Sequence, residues 1–204
     1  MGLHMNTFEA IEARRAVKHF DSDYVIPEAE QKKLFELALQ SPTSFNIQHW
    51  RIVQVKDKAL RQQIQAAAWG QEQVTKASML LFVCANIKAW QTPEKYWRNA
   101  PQEVQNMLVP MIKPFYEGKE QLQRDEAMRS VGILAQTLML AAKGMGYDSC
   151  PMIGFDANKV AELIALPQDH AIGLMLTIGK AVKPAWPKPG QLALSEVLSI
   201  DRFQ

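Results

Sequence analysis

Apolar residues along this chain recur with two periods. Between Thr7 and Arg15, Phe8 and Ile11 sit at helical spacing and predict a short helix. Glu28 to Leu39 repeats that spacing, with Leu34, Leu37 and Ala38 on one face. Pro27 stands at its start, where a missing N–H costs nothing. The period shortens at Trp50–Val55, where Val53 and Val55 alternate with polar neighbours and predict a strand. Asp57 can cap a helix that runs to about Trp69. Ala77 to Ala85, apolar but for Ser78, has the pattern of a strand covered on both faces. From Pro93 to Gly118 the chain is rich in aromatic residues, and Pro101, Pro110 and Pro114 predict broken helices. Asp125 to Lys143 is the best helix of the chain. Val131, Leu134, Ala135, Leu138, Met139 and Ala142 give it a wide apolar stripe, fit for a core or a subunit interface, and Gly144 and Gly146 end it. Asp156 caps a short helix through Leu166, which Pro167 stops. Ala171–Ile178 reads as a strand again. Ala181 to Gln204, punctuated by Pro184, Pro187 and Pro189, reads as an extended arm of the kind tied down on a neighbouring subunit.

The elements add up to an α+β chain with few strands and many helices. No repeat or low-complexity linker divides it, so residues 5–204 are expected to form one domain. Met1-Gly2-Leu3-His4 reads as an expression remnant ahead of Met5. The 204 residues suffice for a real core. A net charge of +2 argues against a nucleic-acid partner. No apolar run is long enough for a membrane span. Two cysteines, Cys84 and Cys150, make no disulfide framework, and the cytoplasm is the simplest location. Cys84 lies in an apolar run and reads as a buried thiol. Cys150 precedes Pro151 in what reads as a turn, with no sequence neighbour that would make it a nucleophile. No metal-ligand spacing is present, and the lack of a GxGxxG fingerprint argues against a Rossmann nucleotide domain.

Three segments carry candidate chemistry. Arg14, Arg15 and Lys18 place three cations at a helix end, where arginine can match phosphate oxygens bidentately and lysine supplies a point charge. Taken alone, the cluster reads as a solvated basic patch. Ser41-Pro42-Thr43-Ser44-Phe45-Asn46-Ile47-Gln48-His49-Trp50-Arg51 is a polar, turn-rich loop between a helix and a strand. Cys150-Pro151-Met152-Ile153-Gly154-Phe155-Asp156 closes the set, with a glycine that admits close backbone approach.

In that order, Arg14-Arg15-Ala16-Val17-Lys18-His19-Phe20, the Ser41–Arg51 loop and Pro151-Met152-Ile153-Gly154-Phe155-Asp156 resemble the FMN-dependent nitroreductase family, NAD(P)H nitroreductases and quinone reductases among them. The resemblance spans about Phe8 to Glu196. It implies an α+β nitroreductase-like fold: a central, mostly antiparallel sheet flanked by helices, with the C-terminal arm exchanged in a homodimer. It implies non-covalent FMN, with NADH or NADPH as electron donor and a nitroaromatic or quinone as acceptor, in ping-pong order. Other chemistries of the family are flavin reduction, enal reduction and dehydrogenation, and a flavin-binding protein without turnover is a further alternative. Arg14 and Arg15 would hold the FMN phosphate and ribityl end, and Lys18 the pyrimidine edge. Ala16 stands where the family has Ser, leaving a backbone N–H. Pro42, Thr43, Ser44, Asn46 and Gln48 match a loop that reaches the other subunit's flavin. His49 replaces a proline and reads as a structural hydrogen-bonder. Gln71 and Gln73 match a segment facing the pyrimidine, with Gly70 where Asn is common. Pro151, Met152, Ile153 and Gly154 match the segment over flavin N5. Lys188 stands where the family places a basic phosphate ligand, and Gln191 replaces the arginine that follows. Trp90, Tyr96, Trp97, Phe115 and Tyr116 either pack the broken helices or wall the flavin. The chemistry belongs to the cofactor, so no side-chain catalyst is assigned.

Overall fold

The structure is a computed structural model that describes residues 5–203, so the reading of residues 1–4 lies outside the described residues. In chain order the elements are α1 (Thr7–Ala13), α2 (Glu28–Ala38), β1 (Trp50–Val55), α3 (Lys58–Ala67), α4 (Gln73–Lys76), β2 (Met79–Asn86), α5 (Glu94–Trp97), α6 (Gln102–Tyr116), α7 (Glu120–Gly144), β3 (Asp148–Met152), α8 (Ala157–Leu163), β4 (His170–Gly179) and α9 (Leu194–Val197). The caps read from sequence are in place. The Asp57 carboxylate accepts from the Leu60 N–H, and the Asp156 carboxylate from the Lys159 N–H. Asn6 and Glu9 close a reciprocal capping box on α1.

The sheet has four strands in the order β1-β2-β4-β3, and every neighbouring pair is antiparallel. Side chains alternate across a strand, and β2 uses both faces. Met79, Leu81, Val83 and Ala85 pack with Leu34 of α2 and with Val131, Leu134 and Leu138 of α7. Leu80, Phe82 and Cys84 face Ile64 of α3, Val74 of α4 and Val160 of α8. Helices therefore cover both sides, which is why the run carries no polar alternation. Each fully buried Leu, Ile or Phe here contributes about 1.5–3 kcal/mol.

Four readings need correction. Cys150-Pro151 is not a turn but part of β3. Proline has no N–H to donate, and β3 tolerates it because it is an edge strand of the sheet. The stretch after Pro101 is one 15-residue helix, with Pro110 and Pro114 inside it. Both prolines lie on its exposed side, four residues apart, where water can satisfy the carbonyls they strand. Helix α7 begins at Glu120, five residues before the expected start at Asp125. That first turn is polar but anchored: the Gln121 amide bonds Asp125 at 2.7 Å, and Gln123 is buried with its amide on the Tyr116 carbonyl at 2.9 Å. Helix α8 stops at Leu163 because Ala165 already adopts a left-handed φ of 50°.

Among the described residues, no helix is long and apolar enough to cross a membrane.

Candidate functional site

The segment after α1 leaves the helix at Arg14 and runs beside β3. Ala16 bridges Ser149 in parallel fashion, and the Val17 N–H donates to the Ser149 carbonyl at 3.0 Å. This pairing brings Arg15, Ala16 and Lys18 to the edge strand that continues into Ile153 and Gly154. The C-terminal arm returns to the same place, with Phe20 bridging Ala181. Between arm and basic segment lies a groove of about 280 Å3, lined by Arg15, Ala16, Lys18, Trp186 and Lys188 among others.

Charge in this groove is uncompensated. Among the described residues, none of Arg14, Arg15, Lys18 and Lys188 has a carboxylate oxygen within 4.0 Å. Arg15 Nη1 donates to the carbonyls of Glu12 and Arg14 at 2.6 and 2.8 Å, which ties off the end of α1. The Lys18 ammonium lies 4.7 Å from the centre of the Trp186 ring, a cation–π contact. Lys188 donates to the Gln191 side-chain oxygen, so Gln191 orients the lysine and does not itself line the groove. Arg14 also stays outside the lining, with its backbone capping α1.

The β3 end supplies neutral donors. Ile153 is 82% exposed, and among the described residues neither the Ile153 nor the Gly154 N–H donates a hydrogen bond to the rest of the chain. Gln71 Nε2 donates to the Gly154 carbonyl at 2.7 Å, and Gln73 Nε2 to Gln71 Oε1 at 3.2 Å. The two glutamines and the Gly154 turn are thus one hydrogen-bonded unit. A Cβ on Gly154 would lie 3.2 Å from Trp69 Cζ3, so glycine is what lets the indole lie against this turn. The Cys150 thiol is buried, and burial pushes its pKa up while Lys18 pulls the other way. Burial likewise raises Cys84, to about 11. Neither thiol is a thiolate at neutral pH.

The Pro42–Gln48 loop stands elsewhere. Phe45, Asn46 and Gln48 hold left-handed φ values of 51°, 53° and 52°. The Gln48 N–H donates to Thr43 Oγ1 at 3.0 Å, Asn46 Nδ2 to the Tyr96 carbonyl at 3.1 Å, and Trp97 Nε1 to the Phe45 carbonyl at 2.9 Å. Asn46 and Gln48 line a different groove, of about 490 Å3, with Lys95 and Arg98. Among the described residues no hydrogen bond joins this loop to the basic segment of its own chain. His49 is fully buried, with Nδ1 3.1 Å from Ser130 Oγ, and desolvation lowers its pKa to about 4. It is a neutral core group. Phe45, Phe115 and Tyr116 meet edge to face, with Trp90 stacked on Tyr116 at 6.1 Å. The aromatic segment therefore packs, as a satellite core beneath the loop.

Trp186, Trp69 and His19 were not singled out from sequence. For Trp186 a signal existed: a lone tryptophan between two prolines of the arm.

Fold and surface together define an α+β protein whose basic and amide donors converge on one edge of an antiparallel sheet. The Nitroreductase family model matches residues 11–180, and the chain belongs to the nitroreductase family of oxidoreductases. Protein DrgA of Synechocystis sp. is 54% identical over 97% of each chain. An oxygen-insensitive NADPH nitroreductase of Helicobacter acinonychis is 28% identical, over 88% of this chain and 90% of the relative. A crystal structure from Exiguobacterium sibiricum, in complex with FMN, superposes with a TM-score of 0.90 at 27% identity, covering 96% of this chain and 97% of that one.

Proposed function

We propose that the protein is an FMN-dependent NAD(P)H oxidoreductase that reduces nitroaromatics or quinones and works as a homodimer. The observation that carries this reading is the groove where Arg15, Lys18 and Lys188 meet without a carboxylate, next to two unpaired N–H groups at Ile153 and Gly154. Cations without counter-ions fit a phosphate, and free amide donors fit a ring edge rich in acceptors. This donor set suits FMN, the cofactor of the family.

Arg14, Arg15 and Lys188 would hold the phosphate, with the Ala16 N–H in place of a family hydroxyl and Gln191 holding Lys188 in place. Lys18 and the Gln71–Gln73 pair would orient the pyrimidine edge. Pro151, Met152, Ile153 and Gly154 would form a backbone rail along the ring. When bound, FMN would supply the hydride and electron transfer between NADH or NADPH and the acceptor, in ping-pong order. The chain's own part is to bind, orient and tune by charge, so no side chain needs to be an acid, base or nucleophile. Pro42, Thr43, Ser44, Asn46 and Gln48 form a stiff loop remote from the basic groove of their own chain, which suits a contribution to the partner subunit's site. The aromatic residues 90–116 would then support that loop from below.

The test is FMN retention. Arg14→Ala with Arg15→Ala should weaken FMN binding by about 1.5–3 kcal/mol per charged hydrogen bond lost. The Arg15 side chain bonds only the Glu12 and Arg14 carbonyls at the end of α1, and that of Arg14 makes no hydrogen bond among the described residues, so the fold should persist. FMN affinity equal to wild type, measured by fluorescence titration of the double variant, overturns the phosphate assignment.

A further inference from the structure

A larger groove, of about 610 Å3, opens away from the flavin residues, among the start of α2, the end of β1, α3 and the turn into β2. Arg61 forms its floor and keeps only 9% of its surface exposed. Its guanidinium donates from Nε to the Val55 carbonyl at 2.9 Å, from Nη1 to Ala77 at 2.6 Å and from Nη2 to Ser78 at 3.1 Å. Those bonds fix the side chain and use three of its five N–H groups. No carboxylate oxygen lies within 4.0 Å of it among the described residues, and burial pulls its pKa down. A buried cation without a counter-ion is unfavourable, and carbonyl dipoles offset only part of that cost.

The rim adds charge of the same sign. Lys56, Lys58 and Lys76 line the groove, are exposed, and make no ion pair among the described residues. Glu28 is the one acid in the lining. Four cations against one carboxylate give this groove +3, in a chain whose formal net charge is +2. Two wall amides are locked, Gln54 Nε2 on Gln31 Oε1 and Gln31 Nε2 on the Ile26 carbonyl, both at 2.7 Å. A smaller groove of about 230 Å3 shares Ser22 and Lys76 with this one, and Lys18 and His19 with the groove at Lys188. The three grooves make one positively charged track.

We propose that the Arg61 groove is a second anion site, for a phosphate-bearing small molecule held by Arg61, Lys56, Lys58 and Lys76. Its volume is that of a small-molecule pocket, well beyond a lone phosphate. The phosphate has two sources. One is the extra 2′-phosphate of NADPH, reached along the track, a source that rests on the proposed activity. The other is a separate phosphorylated molecule.

The experiment titrates FMN-saturated protein with inorganic pyrophosphate and with 2′,5′-ADP, by calorimetry. It compares wild type with the triple variant Lys56→Gln, Lys58→Gln, Lys76→Gln. Arg61 is left intact because it ties β1 to the start of β2. Wild type should bind, more weakly as salt rises, and the triple variant about tenfold more weakly, at a fraction of a kcal/mol per exposed charge. If the KM for NADPH then rises relative to that for NADH, the donor's phosphate is the occupant. If binding of the probes weakens and that ratio stays, the occupant is a separate phosphorylated molecule. Failure of either probe to bind wild type, or equal binding to both proteins, overturns the site. A protein that oxidises neither nucleotide refutes the proposed activity, while the calorimetric comparison still decides the groove.

Discussion

His49 illustrates how one buried polar side chain sets a pH response. Its Nδ1 bonds Ser130 Oγ, which also donates to the Glu126 carbonyl at 2.9 Å, and its Nε2 is buried without a partner. Charging the ring would bury a cation whose Nε2 proton has no acceptor. The folded pKa of about 4 therefore lies below the ordinary value of 6.5. The sign follows. The unfolded chain takes up a proton first as pH falls, so stability is full above about pH 6.5 and declines towards pH 4. At pH 5 the loss from this residue is about 2 kcal/mol. His49→Met keeps the bulk, leaves Ser130 its bond to Glu126, and removes the titration. Urea unfolding at pH 7 and pH 5 should show a stability drop smaller by about that amount in the variant. An equal drop in both proteins removes His49 as the cause. The identity of His49 as a structural group was legible in sequence, since nothing beside it asked for an acid. Its partner Ser130, 81 residues away, was not, because tertiary pairing leaves no local trace.

At the scale of elements, the junction of β2, β4 and α7 shows what periodicity can and cannot carry. Both strands and the apolar stripe were readable because burial dictates them. The bulge was not. Val83 pairs with Leu174 and Cys84 with Ile172, which leaves Gly173 as the extra residue. A Cβ there would stand 2.3 Å from Val131 Cγ1 and 3.0 Å from the Val83 carbonyl oxygen. Gly173 is what lets α7 close on the sheet. Gly173→Ala should cost about 1–3 kcal/mol through overpacking. Because Val131 is the nearer obstacle, adding Val131→Ala should cost less than the sum of the two single changes. Strict additivity in denaturant melts would mean the clash is relieved elsewhere. The same logic explains the missed β3. A strand of Asp-Ser-Cys-Pro-Met has neither alternation nor β-branched residues, and is held by its neighbours Leu176, Ile178 and Ala16 rather than by propensity. The α6 prolines misled for the opposite reason: their penalty depends on which side of the helix meets water.

For the whole molecule, the arm bears on the proposed homodimer. In the single chain Leu194 is 71% exposed, Ile200 81% and Phe203 91%, so this segment buries almost nothing against its own core. Phe8 and Ile11 on α1 are also exposed. So much apolar surface on one chain asks for a second copy. Full-length protein should sediment as a dimer at micromolar concentration. Deleting residues 187–204 should shift it towards monomer and lower its flavin content, since Lys188 leaves with the arm. A flavin-loaded monomer of the full chain refutes the shared assembly. The arm was visible as an extended, proline-punctuated tail, but what it covers was not, because a partner surface has no signature in the tail itself.

Pro151 has a consequence for life at high protein concentration. A sheet with an open side is a template on which other chains can grow strand by strand. Here β1 and β3 are the two such sides, and β3 is only five residues long. The Ala16–Val17 segment shields part of it, and a residue that cannot donate sits within it. The residue that hides the strand from a reader of the sequence also hides it from passing chains. The protein can thus keep an edge strand feeding an exposed, donor-rich turn without inviting the aggregation that such an edge promotes.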